Sequence, residues 1–427
     1  MTQAARHPRW VGKWLSVQGL PRGWLAAAFA AAALYGGGIA LVSGNPLHRF
    51  WGVSAACAYG VAALAVLART PGSKLGKMAL DGALVAIVCG AVLVPLIWFA
   101  WHGQEQPEVM VVARSASTLI HHGTPYQSPA VLDHTKDPNQ YNPYLPLMAA
   151  FGLPQALWGR HVLTDPRLWF GVVYLAVFAV ALRVGGAKDS WRWAALVTAS
   201  PVIALELCVG GTDVPMVAFM CLGFAFLWRS GGDVSAAIAL GVASSMKATA
   251  WPVLAVAFAM LVVRDGSRAA WRFTGAAIAV VAICVGPFAV TKPSGLIRNT
   301  VLFPLGLASV KSDAASPLPG HLISQTGHLG HTVVVALLIL SGVAIAVSLV
   351  LRPPRDVPAA VVRLVIGLSL MFILAPSTRW GYFIYPASLV VWLLATMAGR
   401  GVTPGQRSFP ASLSTSGQTR VRGRPAA

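Results

Sequence analysis

Residues 79–101 read ALDGALVAIVCGAVLVPLIWFAW, and residues 102–108 continue HGQEQPE. The first stretch carries one charge in 23 residues, and a hydrocarbon core of about 30 Å takes about 20 apolar residues to cross. The polar run behind it, with Glu105 and Glu108, begins a long segment, 102–167, with no comparable span. Within it, Tyr144–Trp158 is apolar, but it is only about 15 residues long and is broken by Pro146 and Pro154, too short to cross. It is therefore read as a juxtamembrane or re-entrant piece, and 102–167 as one uncrossed segment on a single side of a bilayer.

Working outward, apolar runs recur at 24–43, 49–68, 79–101, 168–185, 193–209, 214–229, 234–248, 250–263, 271–291, 331–351, 361–378 and 380–397. The spans must be helical, since lipid offers no partner to backbone polar groups and no alternating pattern indicates a barrel. The expected fold is therefore all-α: a polytopic bundle of about 12 spans with juxtamembrane helices in its first outer segment. Of the whole chain, 56% is hydrophobic and 11% charged, against roughly 25% charged in soluble proteins.

Orientation follows from Lys and Arg, which accumulate in cytoplasmic loops. With the N-terminus in the cytoplasm, 22 of the 32 lie inside, and every cytoplasmic connection receives at least one. Glu105, Glu108, Asp133, Asp137, Asp165, Asp213 and Asp313 then all lie outside. The formal charge of +19 is explained by this orientation. The basic residues form no stripe with interleaved aromatics, so no nucleic-acid partner is implied.

The basic stretch with Arg6, Arg9, Lys13 and Arg22 precedes a long apolar run with another close behind, which reads as an uncleaved first helix. The organisation expected is a cytoplasmic segment 1–23, a membrane domain 24–397 with outer segments 102–167 and 292–330, and a disordered basic tail 398–427. Five cysteines in apolar runs form no C-x-x-C pair, which argues against disulfides and zinc. Arg outnumbers Lys 24 to 8, pointing to a GC-rich bacterial genome and its plasma membrane.

In the first outer segment, Val109, Val112, Ala116, Leu119 and Ile120 recur at helical spacing, with Pro107 to open the helix and Gly123 to close it. Two long loops on one face imply a site there. The segment also holds Gly123-Thr124-Pro125-Tyr126 and Tyr141-Asn142-Pro143-Tyr144-Leu145-Pro146; further on come Ser200-Pro201, Gly211-Thr212-Asp213, Gly241 through Lys247 with Trp251-Pro252, and Arg379-Trp380 to Tyr385-Pro386.

In these motifs and their order, over roughly 80–390, the chain resembles the GT-C superfamily of membrane glycosyltransferases, and within it glycosyltransferase family 87, the polyprenyl-phosphate-mannose-dependent mannosyltransferases. The family's usual acid is an aspartate; here the matching position is Glu108, with Glu105 still open.

The resemblance implies transfer of a sugar, expected to be mannose, from a polyprenyl-phosphate donor to a hydroxyl of a cell-envelope glycolipid or glycan outside the cytoplasm. Such a reaction needs a carboxylate to take the acceptor's proton and cations to hold the departing phosphate. Glu108 is the candidate base, with His321 assisting at the acceptor; Lys247, Arg298 and Arg379 are candidates for the phosphate. Tyr126, Tyr141, Asn142, Tyr144 and Asp213 are expected to contact substrate. No cofactor or metal ligand set is implied, and a divalent cation is left open.

Each residue also has a plainer reading. Glu108 is an ordinary helix-start carboxylate, Asp213 a cap for the helix beginning at Val214, and Lys247 a snorkelling span-end lysine. The rival function is a multi-pass transporter or lipid flippase. Against it, the acids gather at one surface, and no matching halves are visible.

Overall fold

The computed structural model describes residues 16–70 and 73–401, so most of the expected tail and most of the N-terminal segment lie outside the described residues. It is built from α1 (Arg22–Val42), α2 (Pro46–Leu67), α3 (Lys74–Trp101), α4 (Pro107–His122), α5 (Pro166–Gly185), α6 (Ser190–Thr198), α7 (Pro201–Val209), α8 (Val214–Leu227), α9 (Asp233–Ser244), α10 (Trp251–Arg264), α11 (Ser267–Thr291), α12 (His328–Leu351), α13 (Val357–Leu374) and α14 (Ile384–Arg400), joined by short helical turns.

Among the described residues eight helices are long and apolar enough to cross a membrane, and α6 with α7 would make a ninth, bent by 63°. Helices α8, α9 and α10 are apolar but shorter. They coincide with the remaining runs expected from the sequence. The bend falls at Pro201, which has no N–H to continue α6.

Helix α3 shows how the sequence builds such an element. Pro95 cannot donate to the carbonyl of Ala91 four residues earlier, and the chain widens to a π-turn at Cys89–Leu93. The freed Ala91 carbonyl accepts instead from the Trp51 indole at 2.9 Å, and that of Gly90 from the Ser54 hydroxyl at 2.6 Å. A proline penalty becomes an interhelical contact.

Helix α4 opens at Pro107 and ends at Gly123, whose φ of +67° is the left-handed conformation glycine adopts freely. The Tyr144–Trp158 stretch forms two short helical pieces, Pro146–Gly152 and Leu153–Trp158, packed against α4.

The connections after α3, α7, α9, α11 and α13 meet at one end of the bundle. The turns at the other end carry most of the arginines. Helices α8 and α9, of 14 and 12 residues, are the most enclosed, with α8 packed on α5, α9 and α14. At 1.5 Å per residue α9 is only about 18 Å long, so a bilayer core of about 30 Å leaves its end well below the apolar boundary. The irregular backbone there is enclosed by protein, which is where membrane-depth loops are tolerated.

Candidate active site

The helix carrying Glu108 is fixed in place by a fully buried arginine. Arg167 pairs with Asp165 at 2.7 Å and donates to the carbonyls of Gln104 and Cys208 at 2.9 and 2.8 Å. The Gln106 N–H adds a bond to the Val209 carbonyl at 2.9 Å. The approach to α4 is thereby stitched to the end of α7, and Glu108, in the first turn of α4, is held over that end.

Four separate segments then deliver two ion pairs. Glu108 accepts from Arg379 at 2.6 Å, and Asp213 accepts from Lys247 through both oxygens at 2.8 and 2.9 Å. Asp213 stands at the start of α8 but makes no capping bond; its carboxylate goes to the lysine. The second oxygen of Glu108 is buried without a hydrogen-bond partner.

The Tyr/Pro motif serves Lys247. The N–H groups of Leu145 and Leu147 bond to the carbonyls of Met246 and Ser245 at 2.8 and 3.3 Å, laying the motif against the segment before the lysine. The Lys247 ammonium stands 5.4 Å from the Tyr144 ring centre and 4.8 Å from that of Tyr382, both cation–π distances. Tyr144 also reaches the Thr212 hydroxyl at 3.1 Å.

Burial opposes charge on Arg379, and the field of Glu108 outweighs it, so the Arg379 pKa is held above its ordinary value. Burial, followed by the fields of Glu108 and Asp213, raises the Tyr144 hydroxyl well above its usual range.

These groups line a cleft of about 310 Å³, and a side chamber of about 40 Å³ shares Glu108, Tyr144, Lys247, Arg379 and Tyr382 with it. The chamber also holds Asp213 and Glu206, an acid on α7 for which the sequence reading assigned no role. Gly381 packs directly on the Glu206 carboxylate; a Cβ there would overlap it. The sequence signal for Glu206 was an acid inside an apolar helix, which is costly without a task.

Not every residue expected at the site reaches the cleft. Tyr141 lines it, stacked on Phe303 at 4.7 Å. Tyr126 is buried and donates to the Tyr144 carbonyl at 3.1 Å. Asn142 is buried too, bonded to Asn299 at 2.7 Å and to the Pro125 carbonyl at 3.1 Å, so both brace the motif from behind. Arg298 pairs with Asp133 and His321 with the Pro376 carbonyl, and neither lines the cleft. Glu105 is bound by Arg160 at 2.8 Å, away from the cleft. Among the described residues no group of three His, Cys, Asp or Glu is arranged to hold a metal.

One wall of the cleft includes Met371 and Phe372 of α13. Met371 also lines a second, largely apolar groove of about 370 Å³ between α10, α12 and α13.

A family model described as glycosyltransferase family 87 matches residues 142–376, a range that includes Tyr144, Asp213 and Lys247 but not Glu108 or Arg379. No curated protein matches the chain. Two solved structures are similar to it. The first is ArnT from Cupriavidus metallidurans in the apo state, at 18% identity and TM-score 0.47, over 75% of this chain and 60% of that one. The second is the same protein bound to undecaprenyl phosphate, at 19% identity and TM-score 0.46, over 74% and 60%. The chain thus spans about 60% of the length of the structures it matches.

Proposed function

Given that the chain belongs to glycosyltransferase family 87 of the GT-C superfamily, we propose that it transfers mannose from a polyprenyl-phosphate donor to a hydroxyl of a cell-envelope glycolipid or glycan. We place the cleft on the extracytoplasmic face, an orientation that the distribution of Lys and Arg supports, and the membrane as a bacterial plasma membrane. The observation that carries this reading is a carboxylate and two cations on one cleft, whose wall residue Met371 also lines an apolar groove between helices.

In this reading the polyprenyl tail lies in the groove, and its phosphate rests against Lys247 and Arg379. The acceptor oxygen attacks the anomeric carbon as the bond from that carbon to the phosphate oxygen breaks. The acceptor's proton passes to Glu108. The bonding electrons leave on the lipid phosphate, whose growing charge the two cations stabilise. Tyr141 and Tyr144 border the sugar. Asp213 keeps Lys247 in place. Asn142, Tyr126 and Arg298 support the loops, and His321 acts by holding the Pro376 carbonyl, three residues before Arg379.

The test is label transfer from radiolabelled polyprenyl-phosphate mannose in membranes carrying the wild type or Glu108→Gln. Transfer by the wild type alone supports the assignment, and equal transfer by both removes Glu108 from the mechanism. No transfer from any lipid-linked sugar, together with lipid or solute movement in sealed vesicles, would favour a transporter.

A further inference from the structure

The acceptor has to be recognised by something other than the ionic groups already described. Of the ionised residues lining the cleft, Glu108 is committed to Arg379 and Lys247 to Asp213. Asp313 is the exception. It lines the same cleft, and among the described residues nothing donates to its carboxylate, Lys311 two positions away included. Asn139 also lines the cleft, and its side-chain amide is likewise free of protein partners among the described residues.

Both side chains are carried on stiffened backbone, although each belongs to a long loop. The chain just after Asp313 forms a parallel bridge from Ala315 to Thr378, with Ser316 N–H to the Thr378 carbonyl at 2.9 Å and Thr378 N–H to the Ala314 carbonyl at 3.1 Å. The Ser316 hydroxyl accepts from the Trp380 N–H at 3.1 Å. Asp313 is thus tied to the turn bearing Arg379. At Asn139 the N–H bonds to the Asp137 carboxylate at 2.9 Å, and the carbonyl accepts from Arg114. Arg114 belongs to α4, the helix that presents Glu108. One free polar side chain is braced to the proposed base's helix and the other to the proposed phosphate ligand's turn.

We propose that Asp313 and Asn139 form the subsite that recognises the acceptor by its hydroxyl groups. This rests on the glycosyltransferase reading above and names a substrate contact within it. A free carboxylate repels a phosphate, which excludes the donor headgroup from this part of the cleft. It accepts hydrogen bonds from neutral hydroxyls, while an amide both donates and accepts. A carboxylate and an amide on one cleft therefore suit a polyol, and the ligand class is a neutral sugar ring.

The experiment uses binding, so that it does not depend on turnover. Octyl mannoside and octyl glucoside are titrated into the full-length protein in detergent, with sugar-ring contact followed by saturation-transfer NMR. Undecaprenyl phosphate binding is measured in parallel by thermal shift. The wild type is expected to saturate at least one glycoside, with affinity about tenfold weaker in Asp313→Ala, the loss expected for one hydrogen bond to a charged group, and about threefold to tenfold weaker in Asn139→Ala, where the bond is to a neutral amide. Undecaprenyl phosphate binding should be unchanged in both, which also shows that they fold. Glycoside affinity unchanged in both variants, or no ring contact in the wild type, would overturn the subsite. Loss of undecaprenyl phosphate binding in both variants would overturn it as well, by placing the pair at the donor. A failure of the glycosyltransferase reading itself would be seen separately, as no label transfer by the wild type.

Discussion

The two ends of the bundle use the same ionic chemistry for different purposes. At the end away from the cleft, arginines close the structure on itself. Arg192 holds Asp81 at 2.7 Å, Arg272 holds Asp233 at 2.8 Å, and Arg264 and Arg400 donate to the carbonyls of Leu227 and Gly185 that end neighbouring helices. Unpaired C-terminal carbonyls attract cations of this kind. At the cleft end two of the pairs, Glu108–Arg379 and Asp213–Lys247, line open space. Glu108 has an oxygen without a partner, and both cations face a volume that an anion can enter. An ion pair fastens helices where it fills its surroundings, and it is available for chemistry where a cavity adjoins it.

The sharpest way to break this contrast is Glu108→Gln, for which transfer should fall about 10²–10⁴-fold, the usual contribution of a general base. Thermal stability should be retained. Next is Lys247→Met, which strands Asp213 in the interior and should cost about 3–5 kcal/mol, read as a lower unfolding temperature. Adding Asp213→Asn should recover much of that stability and none of the activity, separating the structural task of the pair from the chemical one.

Gly381→Ala should cost about 1 kcal/mol, the low end for overpacking, because the added methyl meets only the carboxylate end of the flexible Glu206 side chain, which can turn into the chamber. The loss should shrink in a Glu206→Ala background, and equal losses in both backgrounds would disprove the contact.

A smaller effect is expected at Glu105, whose pKa burial raises above its ordinary 4.5 even though Arg160 opposes the shift. A raised folded pKa stabilises the protein below the unfolded value, and that contribution is lost as pH climbs through the folded one. The melting temperature of the wild type should therefore fall relative to Glu105→Gln over that rise. Smallest of all is Arg264→Gln at the far end, expected to stay within about 1 kcal/mol and to leave transfer untouched.

Much of the fold was legible because membrane helices announce themselves locally. The opening of α4 at Pro107, its close at Gly123 and the failure of Tyr144–Trp158 to cross all follow from nearby residues. The bend at Pro201 was open to the same reasoning. What could not be read is what brings distant segments together. Nothing local says that Arg167 is fully buried and stitches Gln104 to Cys208, or that Thr378 bridges to Ala315. The pairing of Lys247 with Asp213 spans 34 positions, and that of Arg298 with Asp133 spans 165. The sequence supplied the charges that belong on this face, and packing decided which met across the cleft and which tied loops beside it.

The Glu108–Arg379 contact gives the guanidinium an internal counter-ion. In the proposed reaction a phosphate entering the cleft has to displace that carboxylate, so some of its binding free energy goes into the exchange. The same exchange would free the proposed base as the leaving group is seated, and would tie the readiness of the acid to the arrival of the donor rather than to that of water.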